Sequence, residues 1–206
     1  GFIDHSGRDW IRWLECRRVA RLLAACPALE RLSLPMAAIT LDVLEHPTLR
    51  DLELNWFGMT PMGPADPEGE GPGPRASGLD FLRAAQLPAL ERLAIDFQFD
   101  WYIPWIASDY CAPLEAVLPR LRCLTLRYAE DGDLICERLA DAPFAATLER
   151  LELTGSWLSE RGMDALLAAR SRLPRLRALV MNQPLEVGDD AWGLLSRAFP
   201  VEEPAS

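Results

Sequence analysis

The side chains best suited to acid–base or metal chemistry in this chain of 206 residues are four carboxylates, Asp51, Glu53, Asp96 and Glu152. A close pair among them would serve general acid–base catalysis or bind a divalent cation. Three arginines are expected near them: Arg92, Arg127 and Arg150. Because guanidinium groups form strong hydrogen-bonded pairs with carboxylates, we interpret these acids as members of ion pairs. A strongly perturbed carboxylate pair in a closed pocket would instead favour an enzyme.

Nucleophilic catalysis has little support in the remaining residues. The two histidines, His5 and His46, lie beside no candidate nucleophile, and no G-x-S-x-G or H-E-x-x-H motif occurs. The five cysteines show no C-x-x-C pair and no zinc-type spacing with histidine: Cys16, Cys26, Cys111, Cys123 and Cys136. An odd number of free thiols is typical of a reducing compartment. We therefore predict no enzyme activity, no cofactor, no metal, and a cytoplasmic location.

Composition restricts the partners of the chain. Its net charge of -10 argues against nucleic-acid binding, which requires clustered basic side chains. No apolar run approaches the roughly 18 residues of a membrane span, and no signal peptide is visible, although a chain beginning with Gly1 is expected to be a fragment. We predict a monomeric single domain over 1–206 that contacts neither nucleic acid nor membrane.

Repeated leucines indicate the elements that position these side chains. Six segments follow the pattern L-x-x-L-x-L, and their first leucines are Leu29, Leu49, Leu90, Leu121, Leu148 and Leu176. In a strand, alternate side chains share a face, so the second and third leucines of each segment would enter the core together. Helical spacing follows several of these strands, as where Ser159, a predicted N-cap, precedes Met163 and Leu166. Stacking such units would bury the apolar faces that one unit leaves exposed.

These segments resemble leucine-rich repeats, and the longer units resemble the ribonuclease-inhibitor type, in which each repeat carries a whole helix. Residues 148–169 give the best match, and the resemblance covers about residues 26 to 199. It implies an α/β solenoid, a right-handed superhelix with parallel strands on its concave face and helices on its convex face. The chain is also similar to bacterial leucine-rich-repeat proteins without an assigned role. The asparagine expected after each strand is mostly absent.

A second regularity concerns the residue after each first leucine. Acidic and basic side chains alternate at this position along the six units: Glu30, Arg50, Glu91, Arg122, Glu149 and Arg177. Stacked strands lie about 4.8 Å apart, so opposite charges would become neighbours. We interpret this alternation as a structural device that favours the correct register, since exposed pairs contribute less than about 1 kcal/mol each.

Four segments interrupt or flank the repeats. Residues 1–26 read as an N-terminal helix or cap, and residues 200–206 as a C-terminal tail. Residues 58–78 are rich in Gly and Pro and predict a flexible insertion; a phosphate cradle is disfavoured because the chain has no Lys. Residues 96–113 form an aromatic insertion whose rings either fold onto the core or remain exposed for binding.

The polar residues between the strand leucines, with nearby aromatic residues, are the predicted contact surface for a protein partner of unknown identity. They are Asp51, Glu53, Asn55, Trp56, Arg92, Asp96, Phe97, Trp101, Arg127, Tyr128, Arg150 and Glu152. The leading hypothesis is a non-enzymatic protein-binding module. One alternative, by analogy with ribonuclease inhibitor, is an inhibitor or immunity protein against a basic toxin or nuclease. Another is a structural spacer within a longer protein.

Overall fold

A parallel sheet organises the structure, a computed structural model that describes residue 19 and residues 23–36, 44–56, 79–97, 107–182 and 189–202. Seven strands lie in these ranges: β1 Arg31–Met36, β2 Asp51–Trp56, β3 Arg92–Asp96, β4 Cys123–Arg127, β5 Arg150–Thr154, β6 Ala178–Met181 and β7 Val201–Glu202. They are adjacent in chain order, and every neighbouring pair is parallel. Each parallel pair requires a crossover that returns the chain to the same end of the sheet.

Helices occupy the crossovers after β3, β4, β5 and β6. Within the described ranges they are α1 Ala107–Glu115, α2 Gly132–Leu139, α3 Glu160–Ala169 and α4 Asp189–Ala198. Successive helices pack against each other, α1 on α2, α2 on α3 and α3 on α4. The Ser159 hydroxyl accepts a hydrogen bond from the Arg161 N–H at the start of α3, which confirms the predicted N-cap. No helix of the described ranges is long and apolar enough to cross a membrane.

The strand leucines pair with one another across the sheet. One buried row holds the second leucine of each unit, and it runs Leu32, Leu52, Leu93, Leu124, Leu151 and Leu179. A second buried row holds the third apolar residue of each unit, two positions further along the strand. It runs Leu34, Leu54, Ile95, Leu126, Leu153 and Met181. Burying one such side chain stabilises the fold by about 1.5–3 kcal/mol. The predicted α/β class, the parallel strands and their register are confirmed.

The alternating charges lie side by side before the strands. The Arg50 Nη1 atom is 3.1 Å from Glu91 Oε1, and Arg122 Nη1 is 3.8 Å from Glu149 Oε1. The backbone hydrogen bonds between neighbouring strands extend to these positions, since the Glu149 N–H donates to the Arg122 carbonyl at 2.7 Å. Because these side chains are partly exposed, each pair adds less than about 1 kcal/mol. The charges therefore contribute little to the stability of the fold, and the ion pairs that they form are compatible with the observed register.

The two ends of the chain compare differently with the prediction. Residues 200–206 were predicted as a tail, but Val201–Glu202 form β7, and the Leu179 N–H donates to the Pro200 carbonyl at 2.9 Å. The physical reason is the preceding Phe199, whose buried ring holds the chain against the core beneath the Arg170 guanidinium, 5.3 Å from the ring centroid. At the other end Val19 and residues 23–25 are helical. Cys26 follows these residues and is not helical, and the rest of the predicted segment 1–26 lies outside the described residues.

The two predicted insertions have different outcomes. Residues 58–78 lie outside the described residues. In the aromatic insertion, Asp96 is the last residue of β3, and α1 occupies residues from 107 onward, so the segment contains the helix of its own unit. Tyr110 on α1 is buried, and its ring centroid lies 5.0 Å from that of Phe97. These two rings fold onto the core.

Candidate protein-binding surface

The side chains that alternate with the strand leucines form one continuous surface, which we call the polar sheet face. The strand register places Arg31, Asp51, Arg92, Cys123 and Arg150 in one row across it. The Asp51 carboxylate lies between two arginines, 3.0 Å from Arg31 Nε and 2.6 Å from Arg92 Nε. The carboxylate is therefore neutralised by its neighbours on both sides.

Ion pairs continue toward the far end of the polar sheet face. Arg127 Nε donates to Glu152 Oε1 at 3.2 Å, and Arg150 Nη1 donates to Glu202 Oε2 at 2.8 Å. The interpretation of Asp51 and Glu152 as members of ion pairs is confirmed. Arg150 instead pairs with Glu202 of β7, within the segment predicted as a tail.

Cys123 lies between Arg92 and Arg150 in the row described above. Burial raises the pKa of its thiol, although both arginines act in the opposite direction. A protonated thiol is a weak nucleophile, so the polar sheet face presents Cys123 as a small neutral side chain. Within the described ranges no three His, Cys, Asp or Glu residues group so as to hold a metal ion.

Two exposed aromatic side chains stand at the end of the strands. Tyr128 directly follows β4 and is 48% exposed, and Trp157 follows β5 and is 74% exposed. We call them the rim pair. Tyr128 was predicted as a binding residue, whereas Trp157 was not. The sequence does carry a signal, because Trp157 follows Gly155 and Ser156 in a strand-to-helix loop, where polar residues are usual.

The backbone of Trp157 is fixed even though its ring is exposed. Its N–H donates to the Ala129 carbonyl at 3.3 Å, and its carbonyl accepts from the Gly132 N–H at 2.9 Å. Both partners belong to the preceding unit. Gly132 is required at this contact, since a Cβ there would collide with the Trp157 carbonyl oxygen. The loop is therefore held against its neighbour at the residue that presents the ring.

The Asp133 carboxylate holds the other end of this loop. Its Oδ1 accepts from the Ser159 N–H at 2.8 Å and from the Gly162 N–H at 3.1 Å. Its Oδ2 accepts from the Ser159 hydroxyl at 2.5 Å. An anion at the N-terminus of a helix is also favoured by the helix dipole. A side chain of α2 thus caps α3 and fixes the exit of the Trp157 loop.

Tyr128 lies over the start of the same loop. Both Tyr128 and Gly155 have left-handed backbones, with φ of 56° and 67°. A Cβ on Gly155 would lie 2.5 Å from Tyr128 Cδ1, so the ring covers the glycine at van der Waals distance. The Gly155 N–H also donates to Asn182 Oδ1 at 2.9 Å. Residues from three successive units therefore fix the position of the rim pair.

The remaining predicted contact residues fall into three groups. Three more lie on the polar sheet face as expected, half-buried among their neighbours: Glu53, Asn55 and Asp96. Trp56 is the last residue of β2, but its side chain, like the whole of Trp101, lies outside the described residues. The prediction that Phe97 contacts a partner is wrong, because its side chain is 0% exposed. It turns inward because Tyr110 of α1 supplies a buried ring to pack against.

Comparison with known proteins shows the fold alone. No protein-family profile matches the chain, and no curated protein matches it either. Among solved structures, a Bacteroides fragilis protein determined as a structural genomics target is similar, with a TM-score of 0.67 and 19% sequence identity. The similarity covers 91% of this chain and 50% of that protein, so the chain spans about half the length of its structural neighbour.

Proposed function

We propose that this chain is a leucine-rich-repeat solenoid of the ribonuclease-inhibitor-like type that binds a protein partner and catalyses no reaction. In this proposal the contact surface consists of the polar sheet face, as the concave face of the solenoid, and the rim pair. The observation that carries the proposal is Trp157, whose ring is 74% exposed on a loop with an anchored backbone.

The energetics of the rim pair support binding. An aromatic side chain covers about 150–250 Å², and burial contributes about 25 cal/mol per Å². Removing the exposed three quarters of Trp157 from water would therefore contribute about 3–5 kcal/mol before the costs of association. Those costs are reduced because Ala129, Gly132 and Asp133 already hold the loop in place. Tryptophan and tyrosine are also the residues most enriched at interface hot spots.

The polar sheet face would add specificity. Its arginines and acids are held in fixed pairs, Arg92 with Asp51 and Arg127 with Glu152. Paired charges beside an aromatic anchor resemble the polar rim that surrounds the apolar centre of an interface. Because these acids are already neutralised, we propose a partner recognised mainly by apolar contact at the rim pair, in preference to a basic toxin or nuclease.

Affinity capture with the purified chain, followed by mass spectrometry, tests the proposal. Trp157→Ala and Tyr128→Ala should each weaken capture of a specific partner by at least about tenfold, which corresponds to 1.4 kcal/mol. Leu194→Ala is the matched control, since Leu194 is 52% exposed on α4 and should leave capture unchanged. Circular dichroism checks that all three variants remain folded.

Two results would overturn the proposal. The first is a partner retained at full strength by both rim variants, and the second is an equal loss in Leu194→Ala. Repeated failure to capture any partner with the folded chain would favour the spacer hypothesis.

A further inference from the structure

A cleft lies at the opposite end of the strands from the rim pair, where tight turns lead into β4, β5 and β6. Its volume is about 250 Å³, and it is lined by Glu91, Pro119, Arg120, Arg122, Thr147 and Arg175. Three of these six residues are arginines, in a chain whose net charge is -10. The cleft is therefore a basic site on an acidic protein.

The repeat explains how the arginines meet. Arg120 and Arg175 occupy the same position in two matching turns, "LPRLR" from Leu118 and "LPRLR" from Leu173. Thr147 holds the corresponding place in the unit between them, directly before Leu148. Neighbouring strands are spaced by about 4.8 Å, so units two steps apart place equivalent residues about 10 Å apart. The shorter threonine leaves a gap between two long arginine side chains.

The charges around this gap are incompletely neutralised. The acid of the cleft, Glu91, already forms an ion pair with Arg50 at 3.1 Å. Arg122 is 3.8 Å from Glu149, too far for a hydrogen bond. Neither Arg120 nor Arg175 forms an ion pair with any residue that the structure describes. The Thr147 hydroxyl is also engaged, since it donates to the backbone carbonyls of Leu121 and Phe144.

We infer that this cleft binds a small oxyanion, a phosphate or carboxylate group held between Arg120 and Arg175 with Arg122 beside it. A guanidinium group presents a planar fork of N–H donors that matches these anions. Pockets for drug-sized ligands begin at about 300 Å³, so a cleft of this size fits a single anionic group better than a large metabolite. Arg122 has Glu149 at 3.8 Å and Glu91 is already paired with Arg50, so two positive charges, those of Arg120 and Arg175, have no ion-pair partner among the described residues, and they favour a dianion over a monoanion.

Isothermal titration calorimetry at constant ionic strength tests the inference, with inorganic phosphate, citrate and a tri-glutamate peptide as separate probes. At least one probe should bind the wild-type chain, and the double variant Arg120→Gln/Arg175→Gln should weaken that binding by about tenfold or more. Binding of phosphate alone identifies a phosphate site, whereas binding of citrate or the peptide identifies a carboxylate site. Both arginines are exposed, so the double variant should fold normally.

Arg197→Gln is the matched control, since Arg197 is an exposed arginine on α4 and should bind the probe as the wild type does. Trp157→Ala should also leave binding unchanged, which separates this site from the proposed protein-binding surface. The inference is overturned if none of the three probes binds, or if the double variant and Arg197→Gln bind equally well.

Discussion

Replacement of Gly155 by alanine should destabilise the protein and displace Tyr128. Gly155 has a φ of 67°, a left-handed conformation that costs a residue with a Cβ about 1–2 kcal/mol. The added Cβ would also lie 2.5 Å from Tyr128 Cδ1, so the ring must move away. The buried half of the Tyr128 side chain, about 100 Å², contributes up to about 2 kcal/mol that would then be lost. We expect a total loss of about 1–4 kcal/mol in the free energy of unfolding.

Urea denaturation of a double-mutant cycle separates the two effects. In a Tyr128→Ala background the steric effect is absent, so Gly155→Ala should cost only the backbone contribution of about 1–2 kcal/mol. Gly193→Ala provides the control, because a Cβ there meets its nearest neighbour at an ordinary 3.7 Å, within α4. That change should stabilise the protein by about 0.5–1 kcal/mol. Equal costs of Gly155→Ala in the two backgrounds would refute the proposed contact with Tyr128.

Two further predictions concern α2. Asp133→Ala should lower the free energy of unfolding by about 1–3 kcal/mol, because three hydrogen bonds to Ser159 and Gly162 are lost. Hydrogen exchange of the Gly162 amide should become faster in this variant, and an unchanged exchange rate would contradict the capping role. Burial, aided by Asp133, raises the pKa of Cys136 well above its ordinary value. As the pH rises, the Cys136 thiol therefore ionises in the unfolded chain before it ionises in the folded protein, and this favours unfolding. The effect on the free energy of unfolding is absent below about pH 8.5, and above it that free energy falls by up to about 1.4 kcal/mol per pH unit. Urea midpoints from pH 7 to 10 should fall less steeply in Cys136→Ala, and equal slopes would show that another group is responsible.

Regular spacing made much of the fold predictable from the sequence. The leucine triplets predict the strands, their parallel order and their register, because each leucine must reach the same core. The Ser159 cap was predictable for a similar reason, since capping depends on residues within one turn of the chain. These are local or periodic properties, and one sequence is enough to read them.

The state of individual aromatic residues was not predictable in this way. Phe97 and Tyr128 occupy equivalent positions after neighbouring strands, yet Phe97 is buried and Tyr128 is exposed. The difference depends on Tyr110, which packs on Phe97 from a helix that begins ten residues later. The exposed and anchored state of Trp157 was not predictable because it depends on contacts with Ala129 and Gly132 of the preceding unit. Contacts between units decide these cases, and the repeat pattern does not encode them.

The alternation of charge before the strands has a consequence for how such a chain can change length during evolution. Loss of one unit, such as the one that carries Arg122, would make Glu91 and Glu149 neighbours, and like charges directly opposite each other in a sheet are destabilising. Duplication of one unit would likewise place two identical charges together. Gain or loss of two adjacent units preserves the alternation. We therefore expect homologous chains that keep this pattern to differ by even numbers of units.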